Sequence, residues 1–369
     1  MEERLGIRLP HVGASSIPTE EMRGNVENPI GAAQVPLGIA GPLLVHGEHA
    51  KGTFFVPLAT TEGALVRSYE RGMVALTRAG GVTARLHGDV NQVSPIFVFD
   101  EVAAAEEFAR SLPGELAAVR AEAESTTRHG KLQGLDAFVV GRNVIVNFRY
   151  HTADAQGMNM IVKATDRACR ALRARSRARR HYIFSGLCSE KRPSGFLLTG
   201  SKGKKVSAGA LVPRAVVEFY LRATPEQLAD VWQRSVVGHL KAGSLGFSAQ
   251  YANGLAALFI ACGQDVANVA NAAVGVTAFE LTEERDLYAS VTLDSLTVAT
   301  VGGGTGLPTA RECLAILGCA GRGGAPKLAE IVAASLLAGE LSMAAAIASG
   351  EFVEAHERYG RNRPPEPGS

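Results

Sequence analysis

The stretch that most constrains the fold of this chain runs from residue 253 to residue 280, NGLAALFIACGQDVANVANAAVGVTAFE. Drawn as a helix, it carries Ala, Leu, Phe, Ile, Cys and Val on almost every side, which indicates a buried helix rather than a surface one. Its Asn, Gln and Asp residues interrupt the apolar run too often for a membrane span. The sequence therefore predicts one long central helix, Asn253–Glu280, around which a large core is built.

Asp265 lies in the middle of this apolar stretch. A carboxylate in such a setting needs a cation or several hydrogen-bond donors, or it stays protonated. Two interpretations stay open from the local sequence. Asp265 is either a catalytic group or one half of a structural ion pair, because structural pairs also perturb carboxylates.

Length and composition limit the class of protein. The 369 residues fit two domains, or one large domain with an insertion, and 46% hydrophobic residues supply material for a core. A formal net charge of +2 gives no reason to expect nucleic acid or a membrane surface as a partner. The start, MEERLGIRLP, lacks the apolar region of a signal peptide, so we expect a cytoplasmic protein.

The cysteines support the same compartment. They are scattered, odd in number and without a CxxC spacing, which fits a reducing cytosol without a disulfide framework. They are Cys169, Cys188, Cys262, Cys313 and Cys319.

Residues 87–183 have the pattern of a separate unit. β-rich pieces are followed by an Ala/Glu/Arg-rich helical segment, which we expect to break near Pro113, and by two strand-like runs around Gly141–Asn143 that predict a hairpin. A further helix is expected from about Asp154. This order predicts a ferredoxin-like α+β unit.

The unit is expected to be inserted into a larger, mainly helical domain. Residues 1–86 and 184–369 form that domain, with an N-terminal arm over 1–20 and a mobile C-terminal tail over 351–369. The predicted fold class is therefore α+β, with a large domain around the central helix and a small inserted domain.

Several side chains are candidates for chemistry, each with a simpler alternative. Thr60 is expected to cap a helix over Ala64–Ala79, which places Glu62 in its first turn, where it also complements the helix dipole. The adjacent cations Lys191 and Arg192 fit either an oxyanion clamp or an exposed loop. His356 fits late proton delivery or a solvent-facing histidine.

Two glycine-containing segments are candidates for binding an anion. Gly157 precedes a predicted helix, whose free N–H groups favour an anion. No Gly-x-Gly-x-x-Gly fingerprint follows the first strand, so an ordinary Rossmann site is not predicted. The turn TVGGGT (300–305) offers close backbone approach to a phosphate or a thioester, a weak signal by itself.

Six motifs occur in a characteristic order along the chain. They are ENPIGAAQVPLGIAGP (27–42), PLATTEG (57–63), DAQGMNM (154–160), ACGQD (261–265), TVGGGT (300–305) and LAGELSMAAAIASG (337–350). Across about residues 20–363 the chain resembles the 3-hydroxy-3-methylglutaryl-coenzyme A (HMG-CoA) reductase family. ENPIG, DAQGMNM and the late His356 are similar to its class I branch, without the membrane anchor of animal members.

The resemblance implies four catalytic side chains. Glu62 matches the proton-donating glutamate and Lys191 the lysine that stabilises the oxyanion. Asp265 matches the aspartate between them, and His356 the histidine that protonates the departing coenzyme A thiolate. A nearby Asp265 carboxylate would help to keep Glu62 protonated, and Lys191 would titrate together with both carboxylates.

The resemblance also implies binding positions. For the thioester they are Arg85, Ser185, Glu190, Arg192, Asn253, Arg71, Glu27 and Asn28. For the dinucleotide they are Arg142, Asn143, Asp154, Gln156, Gly157, Met158, Asn159, Val301, Gly302, Gly303, Asn362 and Arg363.

The implied reaction is the four-electron reduction of HMG-CoA to mevalonate and coenzyme A with two NADPH and no metal. The implied assembly is at least a homodimer in which Glu62 and Asp265 of one subunit act with the nucleotide unit of the other. Whether dimers pair into tetramers stays open.

Departures from the family pattern leave alternatives open. The run Ser189–Arg192 is one residue shorter after Ser185-Gly186 than is usual, Glu190 replaces an Asp, and Arg192 replaces a Lys with a planar fork. A reductase of a related acyl thioester, or one that prefers NADH, therefore remains an alternative. An inactive homologue that serves as a binding subunit is a further one, and the presence of all four catalytic side chains argues against it.

Overall fold

Strands and helices are both abundant in the computed structural model, which describes residues 8–200 and 202–350. The strands are β1 (Leu37–His46), β2 (Lys51–Ala59), β3 (Val82–Val93), β4 (Ile96–Val98), β5 (Lys131–Val140), β6 (Asn143–His151), β7 (Arg180–Tyr182), β8 (Gly203–Val212), β9 (Gly275–Leu281) and β10 (Leu287–Leu296). The longer helices are α1 (Leu65–Arg78), α2 (Val102–Glu124), α3 (Met158–Ala174), α4 (Pro225–Ala242), α5 (Tyr251–Ala261), α6 (Pro308–Ile316) and α7 (Gly324–Ser349). The protein is thus a mixed α and β structure.

Strand β3 connects two parts of one sheet. Its first half pairs in parallel with β1 and antiparallel with β8, in the order β2-β1-β3-β8-β10-β9. Its end, Asn91–Val93, pairs instead with β6. The large part of the chain therefore has a broad sheet beside its helices, so the expectation of a mainly helical domain understates its strands.

Residues 96–182 form the smaller part. Its strands lie in the order β7-β4-β6-β5, all antiparallel, and α2 and α3 contribute to a core of their own around Phe97, Phe148 and Tyr150. The predicted hairpin around Gly141 is confirmed as the β5–β6 turn. The predicted break near Pro113 is wrong. α2 runs through it, because Phe108 and Leu112 before the proline and Val119 after it are buried in the same core.

The predicted central helix Asn253–Glu280 is also wrong. α5 ends at Ala261, and Gly263 follows with a φ of +62°, a conformation that favours glycine. The chain then makes a short helical turn, Val269–Ala272, and becomes strand β9. The last residues, GVTAFEL, alternate buried and partly exposed side chains with a period of two, which is a strand pattern.

The buried centre is instead α7, which follows the Gly-rich segment near the end of the described chain. By length and composition this helix could cross a membrane, but 83% of its most apolar window is buried inside the protein. It packs against α1, α4 and α5 and against strands of the large sheet. The all-round apolar character expected of the central helix therefore belongs to α7.

Two buried carboxylates of α7 organise its neighbours. Glu330 accepts the backbone N–H groups of Glu48, His49 and Ala50 in the β1–β2 turn, at 2.6–3.0 Å. Glu340 accepts those of Ala249 and Gln250, which precede α5, at 2.7–3.0 Å. Each carboxylate thus accepts backbone N–H groups of a turn or a helix start that would otherwise be buried without a hydrogen-bond partner.

Burial raises the pKa of the Glu340 carboxyl above its usual value, and the bonds from Ala249, Gln250 and Thr277 oppose that rise. Thr277 contributes its hydroxyl at 2.8 Å. The bonds therefore offset only part of the cost of removing this carboxyl from water.

The close approach of α1 to α7 predicts a sharp size limit at Gly72. A Cβ there would overlap the backbone of Ala338, whereas a Cβ at Gly114, in α2, would meet nothing within 4 Å. We expect Gly72→Ala to lower the free energy of unfolding by about 1–3 kcal/mol through overpacking. Gly114→Ala should raise it by about 0.5–1 kcal/mol, since alanine favours helix. Urea denaturation of both variants checks this, and equal effects would contradict it.

The raised pKa of Glu340 predicts a pH dependence of stability. The folded protein holds this proton more tightly than the unfolded chain, so the contribution of Glu340 to stability is largest below the ordinary value of 4.5. It is lost as the pH rises through the folded pKa. Glu340→Gln carries no charge and should not show this loss.

The measurement is urea unfolding from about pH 4 to about pH 8, with Glu284→Gln, at an exposed position, as the control. The stability of Glu340→Gln relative to the unmodified chain should rise with pH. A difference that stays constant across this range would show that Glu340 does not titrate as we expect.

Candidate active site

An ion pair between Lys191 and Asp265 joins two loops that are distant in sequence. The Lys191 Nζ lies 2.7 Å from the Asp265 Oδ2. Asp265 follows α5 and also accepts the backbone N–H of Ala267 at 3.2 Å, which caps a short helical turn. The side chains are 44% and 37% exposed, so the expectation that Asp265 is buried is wrong in this chain. Such an exposed ion pair contributes little to stability. Its effect is to fix the position of the Lys191 ammonium group.

The backbone of Lys191 is held in an unusual conformation. Its φ is +57° and that of Ser189 is +50°, both in the left-handed region that non-glycine residues seldom adopt. The Lys191 N–H donates to the Asn271 Oδ1 at 3.3 Å. Asn271 is fully buried and donates to the Ser295 carbonyl and to Thr297. Sequence reasoning missed Asn271, although an asparagine within an apolar run was a visible signal.

Glu62 lies near the opposite end of α5. Its side chain is exposed and accepts a hydrogen bond from the Asn253 Nδ2 at 3.4 Å. The expectation that Thr60 caps the following helix is wrong, because Ala64 is the residue before α1 and Thr60 accepts the backbone N–H of Glu62 at 3.0 Å. The Thr60 hydroxyl therefore orders the loop that carries Glu62.

Glu62 and Asp265 do not meet within one chain. Asn253, the partner of Glu62, is in the first turn of α5, and Gln264, just before Asp265, bonds back to the Phe259 carbonyl. Six residues of helix separate Asn253 from Phe259, about 9 Å along the axis. In the described chain the Glu62 carboxylate bonds Asn253 and the Asp265 carboxylate pairs with Lys191, with no recorded hydrogen bond or ion pair between Glu62 and either Asp265 or Lys191.

The DAQGMNM and TVGGGT segments lie against each other. The Asp154 carbonyl accepts the N–H groups of Thr300 and Val301, and its carboxylate accepts those of Gly323 and Ala325 at the start of α7. The prediction that the Asp154 side chain contacts a dinucleotide is not supported by these contacts, because both of its oxygens hold backbone groups. Asp154 instead fixes the two loops relative to each other.

The GQD turn is tied to the same place. The Gln264 side chain bonds the carbonyl and the N–H of Ala299, at 2.9 and 2.7 Å. Gly263 lies so close to Gly304 that a Cβ on either would overlap the other backbone. Gly302 and Gly303 have positive φ and open space around the position of a Cβ. The arrangement leaves an accessible glycine surface beside the Lys191–Asp265 pair.

Comparison with known proteins identifies the family of this chain. Residues 1–361 match the family model described as Hydroxymethylglutaryl-coenzyme A reductase. The chain belongs to this family. It is 45% identical to 3-hydroxy-3-methylglutaryl-coenzyme A reductase of Pyrococcus horikoshii over 98% of this chain and 90% of that protein. It is also 45% identical to the enzyme of that name from Methanothermobacter thermautotrophicus, over 98% and 91%.

Solved structures share the fold. The reductase of Streptococcus pneumoniae superposes with a TM-score of 0.72 at 20% identity, covering 90% of this chain and 89% of that one. A second structure from the same organism, a class II reductase bound to NADPH in open conformations, gives a TM-score of 0.71. At this identity the likeness concerns the fold alone.

The remaining residues expected at an HMG-CoA reductase site are spread more widely. Ser185 donates to the Ser94 carbonyl at 2.6 Å, and the Arg192 guanidinium lies over the Phe184 ring at 4.9 Å. Arg85 donates to the His46 carbonyl at 2.8 Å. The first two residues lie on the loop that contains Lys191, and Arg85 lies on β3.

Other expected residues lie farther from the pair or on the surface. Arg71 donates to Ser342 of α7. Glu27 and Asn28 are exposed in the segment before β1, and Asn159 is exposed in the first turn of α3. Arg142 lies in the β5–β6 turn, and Asn143 begins β6. His356, Asn362 and Arg363 lie outside the described residues.

Gly157, Met158, Gln156 and Glu190 come together in the described structure. Gly157 begins α3 with a φ of +72°, and Met158 is its first residue. The Gln156 Nε2 donates to the Glu190 Oε1 at 3.1 Å. The DAQGMNM segment and the Lys191 loop are thus in direct contact.

One group of side chains among the described residues has a spacing that suits a metal. Ligand atoms of Glu48, His49 and Glu330 lie within 4.8 Å of one another. The Glu330 oxygens, however, already accept three backbone N–H groups, so the cluster is explained as the cap of the β1–β2 turn.

Proposed function

We propose that this chain reduces HMG-CoA to mevalonate and coenzyme A with two NADPH. The observation that carries the proposal is the Lys191–Asp265 ion pair, 2.7 Å long, set beside the glycine loop of a member of this family. An ammonium group fixed by a carboxylate and by a buried backbone bond is a preorganised partner for a developing oxyanion.

The chemistry proceeds through two hydride transfers to one carbon. The first converts the thioester into a hemithioacetal oxyanion, which Lys191 stabilises and Glu62 protonates. As the C–S bond breaks, the hemithioacetal hydroxyl returns its proton to Glu62, and His356 protonates the departing coenzyme A thiolate. The second hydride then reduces the aldehyde, and the alkoxide that forms takes a proton from Glu62. General acid steps of this kind contribute typically ~10²–10⁴-fold each.

Residues 87–183 are proposed as the NADPH-binding unit, and residues 1–86 with 184–369 as the thioester-binding domain. The strand order β7-β4-β6-β5, with α2 and α3, supports a ferredoxin-like unit. The contact of Gln156 with Glu190 supports placing the dinucleotide beside the catalytic loop. A cytoplasmic enzyme is proposed because the cysteines are free and buried.

The assay that tests the function follows oxidation of NADPH and NADH with HMG-CoA. We expect thioester-dependent oxidation of NADPH, with mevalonate as the product. Lys191→Met should lower kcat by about 10²–10³-fold, the usual effect of removing one oxyanion partner. Absence of oxidation with HMG-CoA in the unmodified enzyme would refute the proposal.

The same assay addresses a second candidate, reduction of a different acyl thioester. Glu190 and Arg192 were expected to contact the acyl group, but they contact Gln156 and Phe184 instead. Acyl analogues of HMG-CoA should therefore be compared as substrates, and a higher kcat/KM with an analogue would favour this alternative.

We further propose a homodimer with shared active sites. Glu62 lies at one end of α5 and the Lys191–Asp265 pair beyond the other, so one chain does not assemble all three. The alternate β1 residues Leu37 and Ile39 are 54% and 52% exposed, and Phe55 of β2 is 49% exposed. Such apolar side chains on one face suit an interface. In this arrangement Glu62 of one subunit meets Lys191 and Asp265 of the other, which replaces the expectation that Glu62 and Asp265 come from the same subunit.

Subunit mixing tests the shared site. When Glu62→Gln and Lys191→Met chains are co-expressed, we expect about a quarter of the unmodified activity, because half of randomly paired dimers are mixed and each has one intact site. Lys191→Met mixed with Asp265→Asn is the matched control. It should stay inactive, since both groups come from the same chain. Recovery in the control instead would place Glu62 and Asp265 in one subunit.

A further inference from the structure

Lys202 is a fully buried lysine at the start of β8. A buried ammonium group is costly unless it is paired and hydrogen-bonded. Its Nζ forms an ion pair with the Glu190 carboxylate, donates to the Asn91 Oδ1 at 2.8 Å, and contacts the Met158 Sδ at 3.8 Å. Neither the motifs nor the family comparison assigns a role to this residue.

The partners of Lys202 lie on the two loops that the reaction needs. Glu190 directly precedes Lys191, and Met158 begins α3 after Gln156 and Gly157. The third partner, Asn91, lies in β3, where the chain passes from the large part of the sheet to the smaller one. One cation therefore connects the catalytic loop, the dinucleotide loop and the strand between them.

Gln156 is held from two sides by the partners of Lys202. Its side chain donates to the Glu190 Oε1 at 3.1 Å, and its backbone carbonyl accepts from the Asn91 Nδ2 at 2.5 Å. A shift of Gln156 on dinucleotide binding would therefore move the Glu190 side chain, and with it the backbone of the adjacent Lys191.

The same contacts argue against a substrate-binding role for Glu190. Its side chain is only 15% exposed, and its oxygens face Lys202 and Gln156. The loop after it contains Lys191 with a φ of +57°, a conformation that persists only when surrounding contacts enforce it. The ion pair with Lys202 supplies such a contact next to the residue that needs it.

We propose that Lys202 is a positioning residue that couples the dinucleotide loop to Lys191 through Glu190 and Gln156. The proposal rests on the proposed reductase function, because it assumes that NADPH binds at Gln156–Met158. Without the ammonium group, the Glu190 carboxylate is left buried and unpaired, and both loops lose their common anchor.

The test compares Lys202→Met, Glu190→Gln and the double variant. Each single substitution should raise the KM for NADPH about tenfold and lower kcat about tenfold, which is the effect of losing one charged hydrogen bond. The KM for HMG-CoA should stay within about twofold of its original value. The double variant leaves no buried charge unpaired, so its defects should be smaller, about threefold. Titration calorimetry with NADPH alone should show matching losses of affinity.

Lys204→Met is the matched control. Lys204 lies two residues further along the chain, is also buried, and pairs with Asp89 at 2.9 Å, but it contacts neither loop. We expect it to lower the melting temperature as much as Lys202→Met does, with no change in the KM for NADPH.

Two results would contradict a positioning role for Lys202. Unchanged NADPH affinity and KM in all Lys202 and Glu190 variants would overturn the proposal, as would the same kinetic loss in Lys204→Met. If a single variant does not fold, the NADPH affinity and KM of the double variant are compared with those of the unmodified enzyme instead. If the unmodified chain does not turn over HMG-CoA, the reductase function fails, whereas the NADPH titration still reports on Lys202.

Discussion

The buried position of α7 is the constraint on which the rest of the structure depends. Backbone of this helix comes close to Gly72 of α1, and its Gly339 lies against the Tyr69 ring. Backbone N–H groups that pack against such a buried helix cannot bind water, so they need hydrogen-bond acceptors from the protein itself. Glu330 and Glu340 do so instead, by accepting the N–H groups of the β1–β2 turn and of the residues before α5. The apolar core and the start of the active-site helix are thereby fixed together.

From that frame, α5 determines the geometry of the site. Its first turn carries Asn253 beside Glu62, and the turn after its end carries Asp265 beside Lys191. The two groups lie at opposite ends of this helix in one chain, which supports the proposal of a site shared between subunits. The exposed positions of both groups in the single chain agree with this arrangement.

Sequence reasoning succeeded where a motif has a local conformation. Gly157 and Gly302 have the positive φ that only glycine adopts easily, and the β5–β6 hairpin forms at Gly141. It failed where the outcome depended on distant partners. Asn253–Glu280 appeared to be one helix because the apolar pattern does not show that Gly263 must turn to fit against Gly304. Pro113 was expected to break α2, but burial on both sides keeps the helix continuous.

By itself the sequence determined the family and the positions of the glycine turns, because these depend on residue types at characteristic positions in the chain. The pairing of Lys191 with Asp265 was predicted only through the resemblance to the family. Only the tertiary structure decided which helix is buried and which backbone groups Asp154 binds. It also decided that Asn271 bonds the Lys191 backbone and that Lys202 pairs with the adjacent Glu190. The reason is that hydrogen bonds and ion pairs between residues far apart in the chain leave no periodic trace in the sequence.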